Sequence, residues 1–281
     1  MTKELADSSP AAFTEADLRR VQIETFVQQI EFHRELASTN DLALTLVGQD
    51  GLSYPLLVLA EIQTAGRGRR ANRWWAAGGA LTFSLLLETD SPTQADGSES
   101  GQFPPHRWPL VSMTAGLAIC EALEELLPKI EIQLKWPNDV YIQGRKVCGI
   151  LVETPRLSSR KLVLGIGLNV NNSITSATEE ISKTASALCD VSGSPFPLAD
   201  VLIGLLHKLK ERLDWIGVRD QELRNRWRKR CLLTNRRVQV DTDNSQLVGL
   251  CQGIDDQGAL LLDTEDGRKQ CFAGTITLLE G

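Results

Sequence analysis

Apolar and polar positions along the chain alternate with two periods. Pro55 to Ala60 and Ala80 to Leu87 are apolar runs of strand length. Ile30-Glu31-Phe32-His33 alternates as a half-buried strand does, with His33 on its surface. Leu134 to Ile142 and Lys146 to Glu153 flank Gln143-Gly144-Arg145 and predict a hairpin, and Leu162 to Asn171 predicts a further strand. Helical spacing governs Leu42 to Val47 and Leu110 to Leu127. The second of these sets Val111, Ala115, Ala118, Ile119, Ala122 and Leu123 inward, places Glu121, Glu124 and Glu125 outward, and ends at Pro128. Two amphipathic helices follow, Leu198 to Leu213 and Gln221 to Arg230, and Thr184 to Leu188 predicts a helix start with no assigned chemistry. Thr14-Glu15-Ala16-Asp17 is a capping box before Leu18, hence a short helix in an N-terminal arm whose first twelve residues predict disorder.

From Asn235 the pattern turns to short strands with turns at Asp255–Gly258 and Glu265–Gly267, which predicts a small barrel of the SH3 type. The expected division is an arm over 1–26, a catalytic domain over 27–233 with a mobile polar insertion over 89–106, and a barrel over 234–281.

Composition narrows the class. The net charge of -6 argues against non-specific nucleic-acid binding, which needs a broad basic face. No apolar stretch reaches membrane-spanning length and the N-terminus lacks a signal peptide's core, so the expected location is cytoplasmic. Cys120, Cys148, Cys189, Cys231, Cys251 and Cys271 are scattered with no paired spacing, and read as free, mostly buried thiols.

Against this acidic background one loop is locally basic, Gly66-Arg67-Gly68-Arg69-Arg70, with Arg73 and Trp74 beyond it. Glycines let backbone approach a ligand closely, and guanidinium forks hold phosphate or carboxylate at two points. A solvated basic turn fits the loop equally well when it is taken alone. Ser38 or Thr39 N-caps a helix at a strand-to-helix junction, which also gathers hydroxyls and free amides at one spot. Asn138 and Asp139 offer hard oxygens suited to Mg²⁺ on a nucleotide phosphate, or form an ordinary polar turn. Lys146 is either an edge lysine or a compact cation aimed into a cleft. Gly165 and Gly167 mark close approach by another group, such as a flat ring with Asn169 nearby, and do not form a dinucleotide fingerprint.

Taken in order, Ser38-Thr39-Asn40, Gln63 with Gly66–Arg70 and Trp74, Lys135-Trp136-Pro137-Asn138-Asp139, Lys146 with Gly149-Ile150-Leu151, and Gly165-Ile166-Gly167-Leu168-Asn169 resemble the motifs of biotin–protein ligases. The likeness runs from Glu31 to Gly281. It implies an α/β (α+β) fold, a mixed β-sheet backed by helices in a class II synthetase-like catalytic domain, followed by a small SH3-like β-barrel. It implies that biotin and Mg-ATP give biotinyl-5′-AMP, and that biotin then passes to a lysine of a biotin carboxyl carrier protein. The resemblance assigns biotin to Ser38, Thr39, Asn40, Gln63, Gly66, Arg67, Gly68, Trp74, Lys146 and Gly149. It assigns ATP and the adenylate to Arg69, Arg70, Asn138, Asp139, Gly165, Gly167 and Asn169, Mg²⁺ to Asp139, and catalysis to Lys146, Arg67 and Arg69.

Two departures stand out: Asn72 where the family can carry an arginine, and the length of the 89–106 insertion. The arm is too short for a DNA-binding winged helix, so the expected form is ligase-only, without DNA or membrane partners. Monomer and edge-strand homodimer both fit. The competing expectations are a lipoate- or octanoyl-attaching enzyme and a non-catalytic biotin sensor.

Overall fold

A computed structural model describes residues 13–70, 72–88, 108–155, 161–242 and 245–279. The disorder expected for the first twelve residues and the 89–106 insertion lie outside them, as does Ala71. Seven strands form one mixed sheet: β1 Gln29–Leu36, β2 Leu56–Gln63, β3 Leu81–Glu88, β4 Ile132–Lys135, β5 Asp139–Ile142, β6 Arg145–Glu153 and β7 Lys161–Leu168. Their order is β1-β2-β3-β7-β6-β5-β4. Helix α2, Thr39–Leu46, carries the crossover between the parallel strands β1 and β2, and the remaining pairs are antiparallel.

Strand periodicity divides the sheet into two faces. Leu57 and Leu59 of β2, Phe83 and Leu85 of β3, and Leu164 and Ile166 of β7 join one core with helices α3, Trp108–Leu126, and α6, Leu198–Leu213. The other face buries Val58, Leu86 and Val163 beneath α2. The register also aligns two rows on that second face: the small and polar Asp139–Gly149–Gly167–Thr82, and Gly165 with Ser84 between the apolar Leu151 and Val58. These rows form the bed of the site described below.

Several sequence expectations shift. The run from Leu134 to Ile142 is not one strand, because the turn Trp136–Asn138 separates β4 from β5. The strand expected over Cys271 to Leu279 is interrupted at the exposed Phe272: Cys271 ends β11, Gly267–Cys271, and β12 spans Thr275–Leu278. Residues 185–187 do not start a helix: α4, Glu179–Thr184, ends there and α5, Leu188–Ser192, begins after them. The backbone between is committed elsewhere, since Ser186 N donates to Lys146 O at 2.9 Å and Leu188 N to Asn169 O at 3.1 Å. Glu121 is not outward. It is 7% exposed, covered by α6 and by α7, Asp220–Lys229, and paired with Arg212 at 2.6 Å and Arg226 at 3.1 Å.

The C-terminal strands β8 Arg237–Asp241, β9 Gln246–Ile254, β10 Leu260–Thr264, β11 and β12 form a second, antiparallel sheet in the order β11-β10-β9-β8-β12. It docks on the β4–β5 turn and on α7: Trp136 Nε1 donates to Gly258 O at 3.0 Å and Arg228 Nε to Ile254 O at 2.9 Å. Val238, Val240 and Leu260 belong to the same apolar cluster as α3. All six cysteines are unpaired, four of them buried.

Candidate active site

The loop after β2 is a small hairpin. Trp74 N donates to Gly66 O at 2.9 Å and Gly68 N to Asn72 O at 2.8 Å, while Arg70 takes a left-handed φ of 57° near the tip. Asn72 therefore closes the hairpin with its carbonyl, a contact any residue can make, and its own side chain is exposed. A Cβ at position 66 would stand 2.6 Å from Trp74 O, so Gly66 serves the hairpin crossing and does not line the cavity beneath.

That cavity, of about 160 Å³, lies between the hairpin, the N-terminus of α2, the two rows of the sheet and the edge of the second sheet. Its lining gathers Ser38, Thr39, Asn40, Gln63, Arg67, Gly68, Arg69, Arg70 and Trp74 with Asn138, Asp139, Lys146, Gly149, Gly165 and Gly167. Segments from Ser38 to Gly167 meet in one place. Asn169 does not line it. Asn169 is 3% exposed, its amide donating to Ser186 O at 3.0 Å and accepting from Asn172 at 2.9 Å, so it pins the 185–187 segment behind the site. Four contributors were not singled out from the sequence: Lys135 as a side chain in its own right, and Gly274, Thr275 and Ile276 from the second sheet. Only the Lys135-Trp136-Pro137 run carried any signal for them.

One end of the cavity is a buried polar recess. Gln63 Oε1 accepts from Thr39 N at 2.7 Å and Thr39 Oγ1 at 3.1 Å. Ser84 Oγ donates to Asn40 Oδ1 at 2.6 Å and lies 2.8 Å from Thr39 Oγ1. Ser38 Oγ accepts from Asp41 N at 3.3 Å as the helix N-cap, which leaves its own proton free to donate.

The middle is flat and apolar. The Trp74 indole lies over β6 and β7, where a Cβ at position 167 would stand 2.4 Å from its Cε2 and one at 149 would stand 3.3 Å from its Cζ3. The ring whose approach those glycines permit thus belongs to the chain itself. At Gly165 the approaching group is Asn40, whose Oδ1 would be 1.9 Å from a Cβ.

The far end is cationic. Lys146 Nζ sits 2.7 Å from Asp139 Oδ1 and 5.8 Å from the Trp74 ring centroid. Burial lowers the Lys135 pKa, Asp139 opposing and neighbouring Lys146 adding to the fall. Burial likewise lowers that of Arg69, which lies 3.5 Å from Asn138 Oδ1. Arg67 faces away from this end. Its guanidinium binds Asp41 and, at 2.7 Å, Glu153. Burial pulls its pKa down, but those two partners prevail and the net shift is upward. Among the described residues no three His, Cys, Asp or Glu side chains cluster as a metal cage. Asp139 with Asn138 is a donor set of the kind Mg²⁺ uses when substrate phosphates and water complete its shell.

Comparison with known proteins fits this arrangement. Residues 32–171 match the family described as biotin/lipoate A/B protein ligase, and residues 234–279 match the biotin protein ligase C-terminal domain. The biotin–[acetyl-CoA-carboxylase] ligase of Mycobacterium tuberculosis is 33% identical over 258 residues, covering 90% of each chain. The bifunctional ligase/repressor of Bacillus subtilis is 30% identical over 96% of this chain and 80% of its own length. The structure of the Aquifex aeolicus biotin protein ligase in complex with biotin and ATP superposes with a TM-score of 0.76 at 29% identity, covering 90% of this chain and all of that one.

Proposed function

The chain belongs to the biotin protein ligase family and is a ligase, and from that premise we propose that it activates biotin as biotinyl-5′-AMP and passes it to a lysine of a biotin carboxyl carrier protein. One observation carries the proposal: the cavity's polar recess, apolar bed and cationic end follow the order of biotin's ureido group, bicyclic ring and valeryl carboxylate. Thr39, Gln63, Ser38 and Asn40 hold the ureido group, Trp74 covers the ring, and Lys146 meets the carboxylate. A lipoyl dithiolane or an octanoyl chain brings no polar head group to meet the free Ser38 hydroxyl proton or to line up with the polar recess, so it gains no hydrogen bond there.

In the first step a biotin carboxylate oxygen attacks the α-phosphorus of ATP. The new P–O bond forms as the bond to the β-phosphoryl oxygen breaks, and pyrophosphate leaves. Lys146 leaves Asp139 to bridge carboxylate and α-phosphate, stabilising charge where it accumulates. Arg69 and Lys135 face the phosphates; Asn138 and Asp139 would hold Mg²⁺, which would supply positive charge against that of the pyrophosphate. In the second step the neutral amine of the carrier lysine attacks the acyl carbon. A C–N bond forms, AMP departs and the amine loses a proton. The 66–74 hairpin keeps water from the mixed anhydride in the interval.

The test is ATP-dependent pyrophosphate release with biotin, lipoate or octanoate, followed by the mass of a carrier domain. Release with biotin alone and a carrier gain of one biotinyl group are expected. Lys146→Ala should slow single-turnover release about 10²- to 10³-fold while leaving the folded state intact, because the side chain is partly exposed. An unchanged rate removes Lys146 from this role.

A further inference from the structure

Glu153, at the end of β6, divides its carboxylate between two parts of the site. Oε1 accepts from Arg67 Nη2 at 2.7 Å, and Oε2 accepts from Asn40 Nδ2 at 2.8 Å. Asn40 is fixed on its other sides. Its Oδ1 accepts from Ser84, its Nδ2 also lies 3.4 Å from Leu151 O, and the backbone of Gly165 leaves it no room to sink. Arg67 is gripped from the opposite flank by Asp41 in the first turn of α2. A single carboxylate thus joins the floor of the polar recess to a hairpin that carries four arginines between positions 67 and 73.

We propose that Glu153 is a positioning residue that makes biotin capture and hairpin placement a single event. It fixes the Asn40 amide in the floor of the recess with one oxygen and latches the hairpin through Arg67 with the other. The inference rests on the biotin-ligase function above. Arg67 accordingly serves the site by anchoring its cover, and Arg69, without a carboxylate within hydrogen-bond reach among the described contacts, is a guanidinium that can face a nucleotide. Charge-assisted bonds of this length are among the stronger side-chain contacts. The pair is partly exposed, Glu153 at 22% and Arg67 at 38%, so the latch is strong enough to bias the hairpin and weak enough to release it.

Glu153→Gln separates the two functions. The amide oxygen can still accept from Asn40, but an NH₂ now faces the Arg67 donors. Two readouts are taken on the full chain. The first is trypsin cleavage between residues 67 and 73 without any ligand, which reports hairpin opening directly and needs no assumption about the reaction. The second is the split between biotin KM and the single-turnover rate at saturating biotin. Cleavage is expected to accelerate about tenfold and biotin KM to rise about tenfold, with the saturated rate and the unfolding temperature nearly unchanged. Glu153→Asp should restore part of the protection. Unaltered cleavage in E153Q overturns the latch, and faster cleavage with unaltered KM overturns the coupling of hairpin placement to biotin capture. Wild-type protein that releases no pyrophosphate with biotin refutes the reaction assigned above and leaves the protease result to decide the latch alone.

Discussion

Gly167→Ala tests the bed of the site with one methyl group. Position 167 lies in ordinary strand backbone, so alanine meets no conformational penalty there. The new Cβ would lie 2.4 Å from Trp74 Cε2 and 2.5 Å from Nε1, whereas carbon atoms rest about 3.5 Å apart. The indole must therefore retreat by about 1 Å. Overpacking of this kind costs about 1–3 kcal/mol when both sides are rigid. Here one side is a hairpin above the sheet, so the hairpin yields before the core does. The unfolding temperature should change little. The bound ring and carboxylate lose their cover, and a displacement of about 1 Å near reacting groups can cost about 10²-fold in rate. Single-turnover pyrophosphate release with biotin is the assay, expected to fall 10- to 100-fold with most of the loss in biotin KM. Gly165→Ala is the contrast: its Cβ would meet Asn40, which is 4% exposed and held by Ser84 and Glu153, so that variant should lose stability as well as binding. If G167A keeps the wild-type KM and rate, Trp74 does not cover the ligand from this bed.

Two further outcomes concern stability. Burial lowers the folded-state pKa of Lys135 below its unfolded value of about 10.4, so the unfolded chain binds more protons in the window between the two. Stability rises with pH across that window, and the penalty is fully present near neutrality. Lys135→Met should therefore raise the melting temperature at neutral pH, with the gain fading towards about pH 10 while adenylation is lost; a destabilised variant at neutral pH refutes this. Arg212→Met leaves the buried Glu121 with Arg226 as its remaining ion-pair partner and should cost about 2–3 kcal/mol in a denaturant titration. A loss below about 0.5 kcal/mol would mean that the pair contributes little.

The parts of the site legible in the sequence were contiguous. Glycine-arginine alternation, the Lys135–Asp139 turn and the capped Ser38-Thr39-Asn40 junction each announce a local purpose through residue type and spacing. Strand alternation likewise exposed both sheets, including the short strands after Asn235. Register was not legible. Gly165 and Gly167 could be read as sites of close approach, but their occupants, Asn40 and Trp74, follow only from which strands pair and in what phase. Glu153, Gly274 and Thr275 were missed because they sit in unremarkable strand ends and turns, and only tertiary convergence gives them company. Helical spacing set Glu121 outward, and it is buried instead, because periodicity within α3 cannot foretell that two more helices cover that side. Asn169 drew attention through its neighbours and proved to brace the backbone behind the cavity.

The cavity wall contributed by Gly274, Thr275 and Ile276, together with the Trp136–Gly258 bond, places the reaction chamber on a seam between two sheets. A ligand seated there touches both, so part of its binding free energy is also free energy holding the sheets together. Severing the polypeptide between them would not yield an enzyme and a removable appendage. It would split a shared apolar core together with the chamber, because Val238, Val240 and Leu260 pack in the same cluster as α3.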